Sequence, residues 1–536
     1  MDKIKKIIIA GGGSSGWMTA SCLIKNCPDI QITVIDTETI PIIGVGESTI
    51  LHINDFLRNL DLADDVWMKY CNATYKLSIN YTNWNGDGKT YRYPFSESRW
   101  MDKYKPIDWF IKESVMGTNN SSEYCDFAVN TGELMRNNKL VKYSEYIPGW
   151  NFDYNTAYHF DAALFAKFLK NEYCIPKGVQ HFNDRIIDVE KCEDGSIKSL
   201  MTEKSNKMSA DLYIDCTGFK SLLLEKSLQE PYISFGDKLI NDKAVATHLS
   251  YVDKEVELVH NTDAYALSSG WVWNTPLWNS IGTGYVYSSQ FLTEEDAEKE
   301  FKDYLINERN VVHSRKEVEN LTLHHVPIHS GIHERAWVKN VCAIGLSYGF
   351  VEPLASTGLM FITRQAQNLV NILKRRKNNA VTGISRSIYN NQVKDMVLQG
   401  YEFICAHYAF TERQDSPYWN YLTNELDYSV ENIIKDSLFI DVIPKKMCNT
   451  YNNWWNTAGR ADDFLLFIVA GCGFNPTEHI FTDLVLNNHV GSNTTLLDES
   501  TRLNKDIIEY RNKQRNYVKT LQTHYQFLKN TIYKEE

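Results

Sequence analysis

The chain has 536 residues, 43% of them hydrophobic and 23% charged, with a formal net charge of -11. This composition is typical of a globular protein with a sizeable core, and the acidic balance argues against a nucleic-acid binder. The 11 cysteines are scattered without a Cys-x-x-Cys pair, which predicts reduced thiols, a cytoplasmic location and no metal site. No apolar run reaches the roughly 20 residues that cross a bilayer, so we expect no membrane segment.

The first predicted element is a strand, Ile7 to Ala10, that ends in a glycine-rich turn and a helix start. The turn has G-x-G-x-x-G order, and its candidate nucleotide-binding residues are Gly11, Gly13, Ser14, Ser15 and Gly16. Asp36 ends the next apolar run about 20 residues later, where an acid would hold a ribose hydroxyl. The pattern predicts a dinucleotide site and disfavours a β-turn-α unit without a ligand.

A second glycine-bearing turn follows and precedes an amphipathic run. Its residues Gly44, Val45, Gly46 and Glu47 suggest backbone held close to a flat ligand, while Ser48 or Thr49 suggests a helix cap. Both interpretations stay open at this point.

Asn72 to Trp84 alternate like a strand, which places Lys76 on the face with Thr74 and Ser78. A lysine on a polar face is usually solvated. Residues 85–160 are rich in Tyr, Trp, Asn, Gly and Ser with weak periodicity, which predicts loops and short helices covering a substrate site. A short helix over 162–169 and hairpins up to Met208 are expected next.

The strand that ends in Asp215-Cys216-Thr217-Gly218 suits the return of the chain to a nucleotide. From Ala244 to Ser288 the pattern predicts sheet, and Trp271 and Trp273 project from one face of a strand. Taken alone, two such indoles usually fill a core. Thr293 then opens a helix that is buried through Ala297, Phe301, Tyr304 and Leu305.

A further strand ends at Gly345 and leads to Thr357 and Gly358, where another helix starts and offers free amides to an anion. Ser356 is the predicted N-cap of this helix. Beyond about Ala380 the apolar spacing is helical to the end, closing with Leu503 to Ile532.

Five blocks of the chain resemble, in order and spacing, the flavin-dependent halogenases of the tryptophan halogenase family, and the Asn-, Lys- and Tyr-rich make-up is similar to that of viral-type members. The most specific block is Trp271-Val272-Trp273-Asn274-Thr275-Pro276, which is similar to the family's W-x-W-x-I-P. The five blocks are Gly11–Trp17, Gly44–Thr49, Asp211–Phe219, Gly270–Pro276 and Gly345–Gly358.

The resemblance implies an α/β fold in which a flavin-monooxygenase-like, FAD-binding domain over 1–380 carries the insertion at about 85–160. A mostly helical part over 381–536 would complete the substrate pocket. The implied reaction uses FADH2, O2 and a halide ion to make hypohalous acid, which reaches a lysine beside an aromatic substrate. FADH2 would come from a separate flavin reductase, and we expect a homo-oligomer.

The resemblance also implies roles for individual residues. Asn72-Ala73-Thr74-Tyr75-Lys76 matches the family motif that carries the catalytic lysine, which replaces the solvated interpretation of Lys76. Trp271 and Trp273 would keep substrate away from the flavin. The amides of Thr357 and Gly358 would bind halide next to the flavin.

Two departures from the family pattern change the expectation. Ala355 stands where the family carries a glutamate, and Glu352 occupies an earlier position, so bromide or iodide is expected to be used in preference to chloride. Tyr93-Pro94-Phe95 replaces a His-Pro-Phe-like segment of the indole pocket, whose other aromatic side would be Trp454 and Trp455. A range of indoles, phenols or anilines is therefore expected rather than free tryptophan.

Two other functions remain open from the sequence. A flavin-dependent aromatic monooxygenase would hydroxylate substrate directly, but it would need neither the tryptophan pair nor Lys76. A catalytically silent flavin-binding protein is the third possibility, and Ala355 is its motivation.

Overall fold

The chain divides into two units, each assembled from three stretches. The first comprises Met1–Ala73, Tyr158–Ile240 and Ile328–Tyr401, and the second comprises Thr74–Ala157, Asn241–Pro327 and Glu402–Glu536. This computed structural model describes residues 2–37, 46–96, 104, 106–118, 120–375, 380–428, 461–475 and 493–534. The division of roles at residue 380 stays a prediction.

A six-stranded sheet forms the centre of the first unit. Its strands are parallel except at one edge, and Ile7, Ile8 and Ile9 are completely buried, as a sheet covered on both faces requires. In spatial order the strands are Trp337–Val338, Val341–Ala343, Leu212–Asp215, Lys6–Ala10, Gln31–Asp36 and Gln180–Asn183. The mixed α/β fold class predicted from the sequence is confirmed.

Helices and smaller sheets complete the first unit, and the helices Ser14–Asn26 and Gly358–Lys374 pack against each other. The other helices include Ile53–Asn59, Asp64–Trp67, Ala162–Phe168 and Gly383–Ala409, the last of which leads into the second unit. Smaller sheets contain the strands Ile186–Lys191, Ile197–Thr202, Lys207–Met208, Tyr232–Ser234, Gly331–His333 and Gly349–Phe350.

One expectation for the first unit is confirmed only in part. Hairpins were predicted up to Met208, but Gln180–Asn183 joins the main sheet, parallel to Gln31–Asp36. The strands Ile186–Lys191, Ile197–Thr202 and Lys207–Met208 form the expected antiparallel hairpins. The exposed, polar strand Gln180–Asn183 has no apolar alternation, so the sequence pattern could not reveal that it pairs with a distant strand.

A seven-stranded sheet forms the centre of the second unit, and it confirms the sheet expected from Ala244 to Ser288. Neighbouring strands are antiparallel except Asn261–Ala266 and Ser78–Thr82, which are parallel. In spatial order the strands are His324–Pro327, Lys243–Leu249, Ile281–Tyr287, Gly270–Pro276, Asn261–Ala266, Ser78–Thr82 and Thr90–Pro94.

The helix Glu294–Asn307 covers part of this sheet and buries the four residues predicted from its sequence, Ala297, Phe301, Tyr304 and Leu305. Thr293 caps it by accepting a hydrogen bond from the Asp296 N–H at 3.2 Å. The Asp296 carboxylate in turn accepts from the Thr293 hydroxyl at 2.9 Å. The helical spacing of the apolar residues and the Thr293 cap therefore predicted both the start of this helix and its buried face.

The remaining helices of the second unit are short except near the C-terminus. Among the described residues they are Pro106–Met116, Tyr124–Ala128, Gly132–Arg136, Phe152–Asn155, Lys254–Glu257, Arg315–Glu319, Pro417–Asn424, Ala461–Gly471, Asn493–Val518 and His524–Leu528. The closing helix predicted over Leu503 to Ile532 is interrupted after Val518, because Thr523 starts a new helix with a capping box to Gln526. Thr523 also forms a β-bridge with Lys139.

Candidate active site

The glycine-rich turn of the first unit joins the strand Lys6–Ala10 to the helix Ser14–Asn26. Gly11 has φ +101°, and a Cβ there would collide with the Cys216 carbonyl oxygen; a Cβ on Gly16 would collide with the Gly11 carbonyl oxygen. Folding alone therefore requires both glycines. A Cβ on Gly13 would meet nothing within 4 Å, and no side chain caps the helix that follows it. The turn leaves room and free amides for an anionic group.

Asp36 lies beside this turn, at the end of its strand, and the space that a Cβ on Gly12 would need is occupied by the Asp36 carboxylate. The carboxylate also accepts a hydrogen bond from Nε2 of His181, whose ring centroid is 5.6 Å from that of Trp17. His181 was not predicted as a partner of Asp36, because its strand has no apolar alternation that would assign it to this sheet. Asp36 is thus in the predicted place and already has one partner.

Two predicted residues lie against the start of the first helix. Gly345 has φ +73°, its N–H donates to Gln365 Oε1 at 2.8 Å, and a Cβ there would lie 2.9 Å from Ser15 Cβ. Ser14 Oγ donates to the Ala162 carbonyl at 3.3 Å. The carboxyl ends of the parallel strands therefore bring Gly345, Ser15 and the turn together, at the sheet edge where ligands of α/β folds bind.

The second glycine turn is described only from Gly46 onward; Gly44 and Val45 lie outside the described residues. Gly46 has φ +77°, and Glu47 pairs with Phe160 in a short strand. The neighbouring Ser48 Oγ accepts a hydrogen bond from Ser356 Oγ at 3.1 Å. This bond joins the second turn to the predicted halide segment.

The halide segment differs from expectation by one residue. Ser356 was predicted as the N-cap, but it is left-handed, with φ +57°, and Thr357 is the N-cap of the helix Gly358–Lys374. Thr357 Oγ1 is buried without a hydrogen-bond partner among the described residues, and a Cβ on Gly358 would meet nothing within 4 Å. Glu352 is completely buried at the start of the segment.

Lys76 lies in the second unit, on the strand Thr74–Lys76, and its side chain is completely buried. Burial lowers the pKa of its amine well below the ordinary value, because the charged form is poorly solvated there. Its Nζ lies 5.1 Å from the centroid of the Phe95 ring. The solvated location that is usual for a lysine on a polar face is therefore wrong for Lys76.

Trp271 and Trp273 lie on the strand Gly270–Pro276, with ring centroids 6.4 Å apart and planes at 62°. Trp273 pairs in register with Gly284, and a side chain on that glycine would collide with the Trp273 ring. Thr74 Oγ1 donates to the Pro276 carbonyl at 2.7 Å. A hydrogen bond thus joins the strand Gly270–Pro276, which carries the two tryptophans, to the strand Thr74–Lys76, which carries the lysine.

The predicted substrate segment Tyr93-Pro94-Phe95 is buried at the end of the strand Thr90–Pro94. The Tyr93 and Phe95 rings meet edge to face at 5.9 Å, and the Phe95 N–H donates to the Leu77 carbonyl at 2.9 Å. The segment is therefore adjacent to Lys76. Trp454 and Trp455 lie outside the described residues.

Two histidines that were not predicted from the sequence contact the backbone on either side of Lys76. His524 Nε2 accepts a hydrogen bond from the Tyr75 N–H at 3.2 Å, and the His260 carbonyl accepts one from the Leu77 N–H at 2.7 Å. The two residues are 264 positions apart in the chain, so periodicity carried no signal for this contact.

The comparisons with known proteins identify the family of the chain. A family model described as Tryptophan halogenase matches residues 6–527. The chain belongs to the tryptophan halogenase family. This halogenase is a flavin-dependent oxidoreductase, and FAD-dependent halogenation of aromatic compounds is the activity of its family.

Individual relatives resemble this halogenase over most of its length. The 7-chloro-L-tryptophan 6-halogenase KtzR of Kutzneria sp. is 36% identical over 77% of this chain and 81% of its own. The tryptophan 7-halogenase RebH of Lentzea aerocolonigenes is 34% identical over 78% of each chain. The apo structure of VirX1 is 36% identical, with a TM-score of 0.87 over 100% of both chains.

Across the described helices of this halogenase, none combines the length and apolarity that a bilayer crossing requires.

Proposed function

We propose that this halogenase uses FADH2, O2 and halide to halogenate an electron-rich indole, phenol or aniline, and that Lys76 delivers the oxidant. The completely buried Lys76 amine, facing an aromatic ring, is the observation that carries the proposal. A hydroxylase in which substrate contacts the flavin directly does not require such an amine. The family match does not favour the aromatic monooxygenase or the silent flavin-binding protein.

FAD fits the first unit, because Gly13 and Gly358 leave open space that a side chain at either position would occupy. The residues proposed to hold it are Gly11, Gly13, Ser14, Ser15, Gly16, Asp36, Gly46, Glu47, Gly345, Thr357 and Gly358, together with Gly44 and Val45. Bound FADH2 supplies two electrons to the reaction FADH2 + O2 + X⁻ + H⁺ → FAD + HOX + H2O. A separate flavin reductase, as the family uses, would regenerate FADH2.

The helix start at Thr357 and Gly358 is the proposed halide site. Free N–H groups at the start of a 17-residue helix carry partial positive charge, which favours a small anion. The buried Thr357 hydroxyl supplies a further donor that has no hydrogen-bond partner among the described residues. Trp271 and Trp273 are proposed to separate the aromatic substrate from the flavin.

Lys76 has the properties that oxidant delivery needs. Its lowered pKa favours the neutral amine, which can take the halogen from hypohalous acid: R–NH2 + HOX → R–NHX + H2O. Transfer to the arene restores the amine: R–NHX + ArH → R–NH2 + ArX. The protonated amine could instead hold HOX by a hydrogen bond to its oxygen. In both forms, the burial of Lys76 keeps water from consuming the oxidant.

The halide and substrate preferences rest on two substitutions. Ala355 is buried where the family carries a glutamate, so this position offers no carboxylate to take the arene proton. We propose that bromide or iodide, which are easier to oxidise, are therefore used before chloride. Tyr93, Pro94, Phe95, Glu352, Trp454 and Trp455 are the proposed substrate-contacting residues.

One incubation tests the proposal. Enzyme, FAD, a flavin reductase with NADH, O2 and an electron-rich arene are combined with chloride, bromide, iodide or no halide, and products are identified by mass spectrometry. Halide-dependent mass gain is the expected result. Oxygen gain without halide would establish the monooxygenase alternative, and absence of product over a wide arene panel would establish the silent flavoprotein. Fastest chlorination, or turnover of L-tryptophan alone, would contradict the proposed preferences.

A further inference from the structure

The backbone amides on either side of Lys76 are both held by a histidine residue. The Tyr75 N–H donates to the ring of His524 at 3.2 Å, and the Leu77 N–H donates to the carbonyl of His260 at 2.7 Å. The orientation of the Lys76 side chain depends on the backbone between these two bonds. The two histidines therefore act on the segment from which the amine projects.

The two histidines also contact each other. Both are completely buried, and their ring centroids are 5.6 Å apart with planes at 51°. Asn138 joins their backbones. Its carbonyl accepts a hydrogen bond from the backbone N–H of His524 at 2.9 Å, and its Oδ1 accepts one from the backbone N–H of His260 at 3.3 Å. His260 Nε2 donates to the Leu134 carbonyl at 3.2 Å. Both rings thus have fixed positions.

The bond to Tyr75 specifies the protonation state of His524. A backbone N–H only donates, so Nε2 of His524 must be unprotonated and the ring carries its single proton on Nδ1. Burial lowers the pKa of His524 well below its ordinary value and that of His260 to about 4. The neighbouring groups reinforce this, because His260 opposes protonation of His524 and the Arg92 cation opposes protonation of His260.

We propose that His524, with the backbone carbonyl of His260, positions Lys76: the neutral His524 ring accepts the Tyr75 amide and so fixes where the lysine amine lies. His524 is a positioning residue, since its ring acts through the backbone of Tyr75. This inference rests on the proposed role of Lys76 for its catalytic consequence, but the positioning itself is measurable without flavin or halide.

The test compares His524→Leu, which cannot accept a hydrogen bond, with His524→Gln, whose amide oxygen can. His407→Leu is the matched control, because His407 is also completely buried, has a pKa lowered to about 4 by burial, and bonds through Nδ1 to the Phe403 carbonyl of its own helix. Hydrogen exchange of the Tyr75 and Leu77 amides and acetylation of Lys76 by acetic anhydride are followed by mass spectrometry in the flavin-free protein. Product yield per FADH2 oxidised is measured separately.

In His524→Leu, we expect exchange of the Tyr75 amide to become about tenfold faster, as loss of one hydrogen bond implies, together with faster acetylation of Lys76. His524→Gln and His407→Leu should keep the wild-type values. Product yield per FADH2 should fall in His524→Leu and recover in His524→Gln, with unchanged FAD affinity.

Unchanged exchange and acetylation in His524→Leu would overturn the inference. If that variant does not fold, loss of Tyr75 protection in folded His524→Gln would overturn it equally. Altered exchange and acetylation with unaltered product yield would leave the positioning intact and instead refute the catalytic role of Lys76.

Discussion

The Nζ atom of Lys76 lies 5.1 Å from the centre of the Phe95 ring, and both side chains are buried. The face of an aromatic ring attracts a cation weakly, whereas burial disfavours the charge far more strongly. The net result is the lowered pKa of Lys76. The lowered pKa favours the neutral amine, and burial keeps water away from it.

Replacing Lys76 by methionine should abolish product formation without unfolding the protein. Methionine keeps much of the side chain's length and removes an amine whose burial is costly, so the melting temperature should be unchanged or higher. Product yield should fall by at least about 100-fold, the loss typical for a group that takes part in the chemical step. Mass spectrometry of the halogenated arene measures this.

Lys112→Met is the matched control for that experiment. Lys112 is also buried, lies 3.9 Å from the centre of the Trp109 ring, and forms an ion pair with Glu113. We expect this variant to be less stable, because it leaves the Glu113 carboxylate without its cation, yet active per folded molecule. Wild-type yield in Lys76→Met would contradict the proposed role of Lys76.

Gly13→Ala and Gly16→Ala should separate cofactor binding from folding. The Gly16 Cβ would collide with backbone, so Gly16→Ala should lower the melting temperature of the FAD-free protein. The Gly13 Cβ meets nothing, so Gly13→Ala should keep that melting temperature while weakening FAD binding, measured by quenching of flavin fluorescence. Equal FAD affinity in Gly13→Ala and wild type would show that the cofactor does not approach this turn.

Gly358→Ala should impair halide use specifically. A Cβ on Gly358 meets nothing within 4 Å and loss of glycine favours folding by about 0.4–1 kcal/mol, so the variant should be at least as stable as wild type. The methyl group would nevertheless occupy the proposed halide position and raise the KM for bromide. Gly383→Ala is the control, because Gly383 also starts a helix with open space around it. An equal KM for bromide in both variants would place the halide elsewhere.

Stability should fall on acidification because of His260. Burial lowers its pKa to about 4, so the folded state binds fewer protons than the unfolded chain between about pH 6.5 and 4. The contribution is complete above about pH 6.5 and is lost as the pH falls towards 4. The free energy of unfolding should therefore be roughly 2 kcal/mol lower at pH 5 than at pH 7. Urea unfolding at both pH values measures it. His260→Gln should have a smaller difference between the two, and an equal difference would contradict this assignment.

The parts of the fold that were predicted from sequence are those coded locally. The turn around Gly11, the helix with its buried face from Ala297 to Leu305, and the strand bearing Trp271 and Trp273 all follow from spacing of two or 3.6 residues and from turn chemistry. The resemblance also pointed to Lys76, but its burial could not be deduced from an alternating strand with polar neighbours.

What the sequence did not reveal depends on distant contacts. His181 reaches Asp36 through a strand with no apolar signature, and His524 reaches Tyr75 from the far end of the chain. Ser356 was a reasonable cap by residue type, yet its hydroxyl bonds to Ser48 and its backbone is left-handed. Each case was decided by tertiary packing that overrides local preference.

The assembly of each unit from three stretches also bears on how the protein forms during synthesis. The first unit has all its stretches once the ribosome has passed Tyr401, whereas the second still lacks everything from Glu402 onward. Until His524 has been synthesised, the Tyr75 N–H cannot donate its hydrogen bond to the His524 ring, so the strand Thr74–Lys76 lacks this contact in the nascent chain. Translation that stops shortly before His524 would therefore release a polypeptide that has all three stretches of the first unit but lacks the ring that accepts the Tyr75 amide.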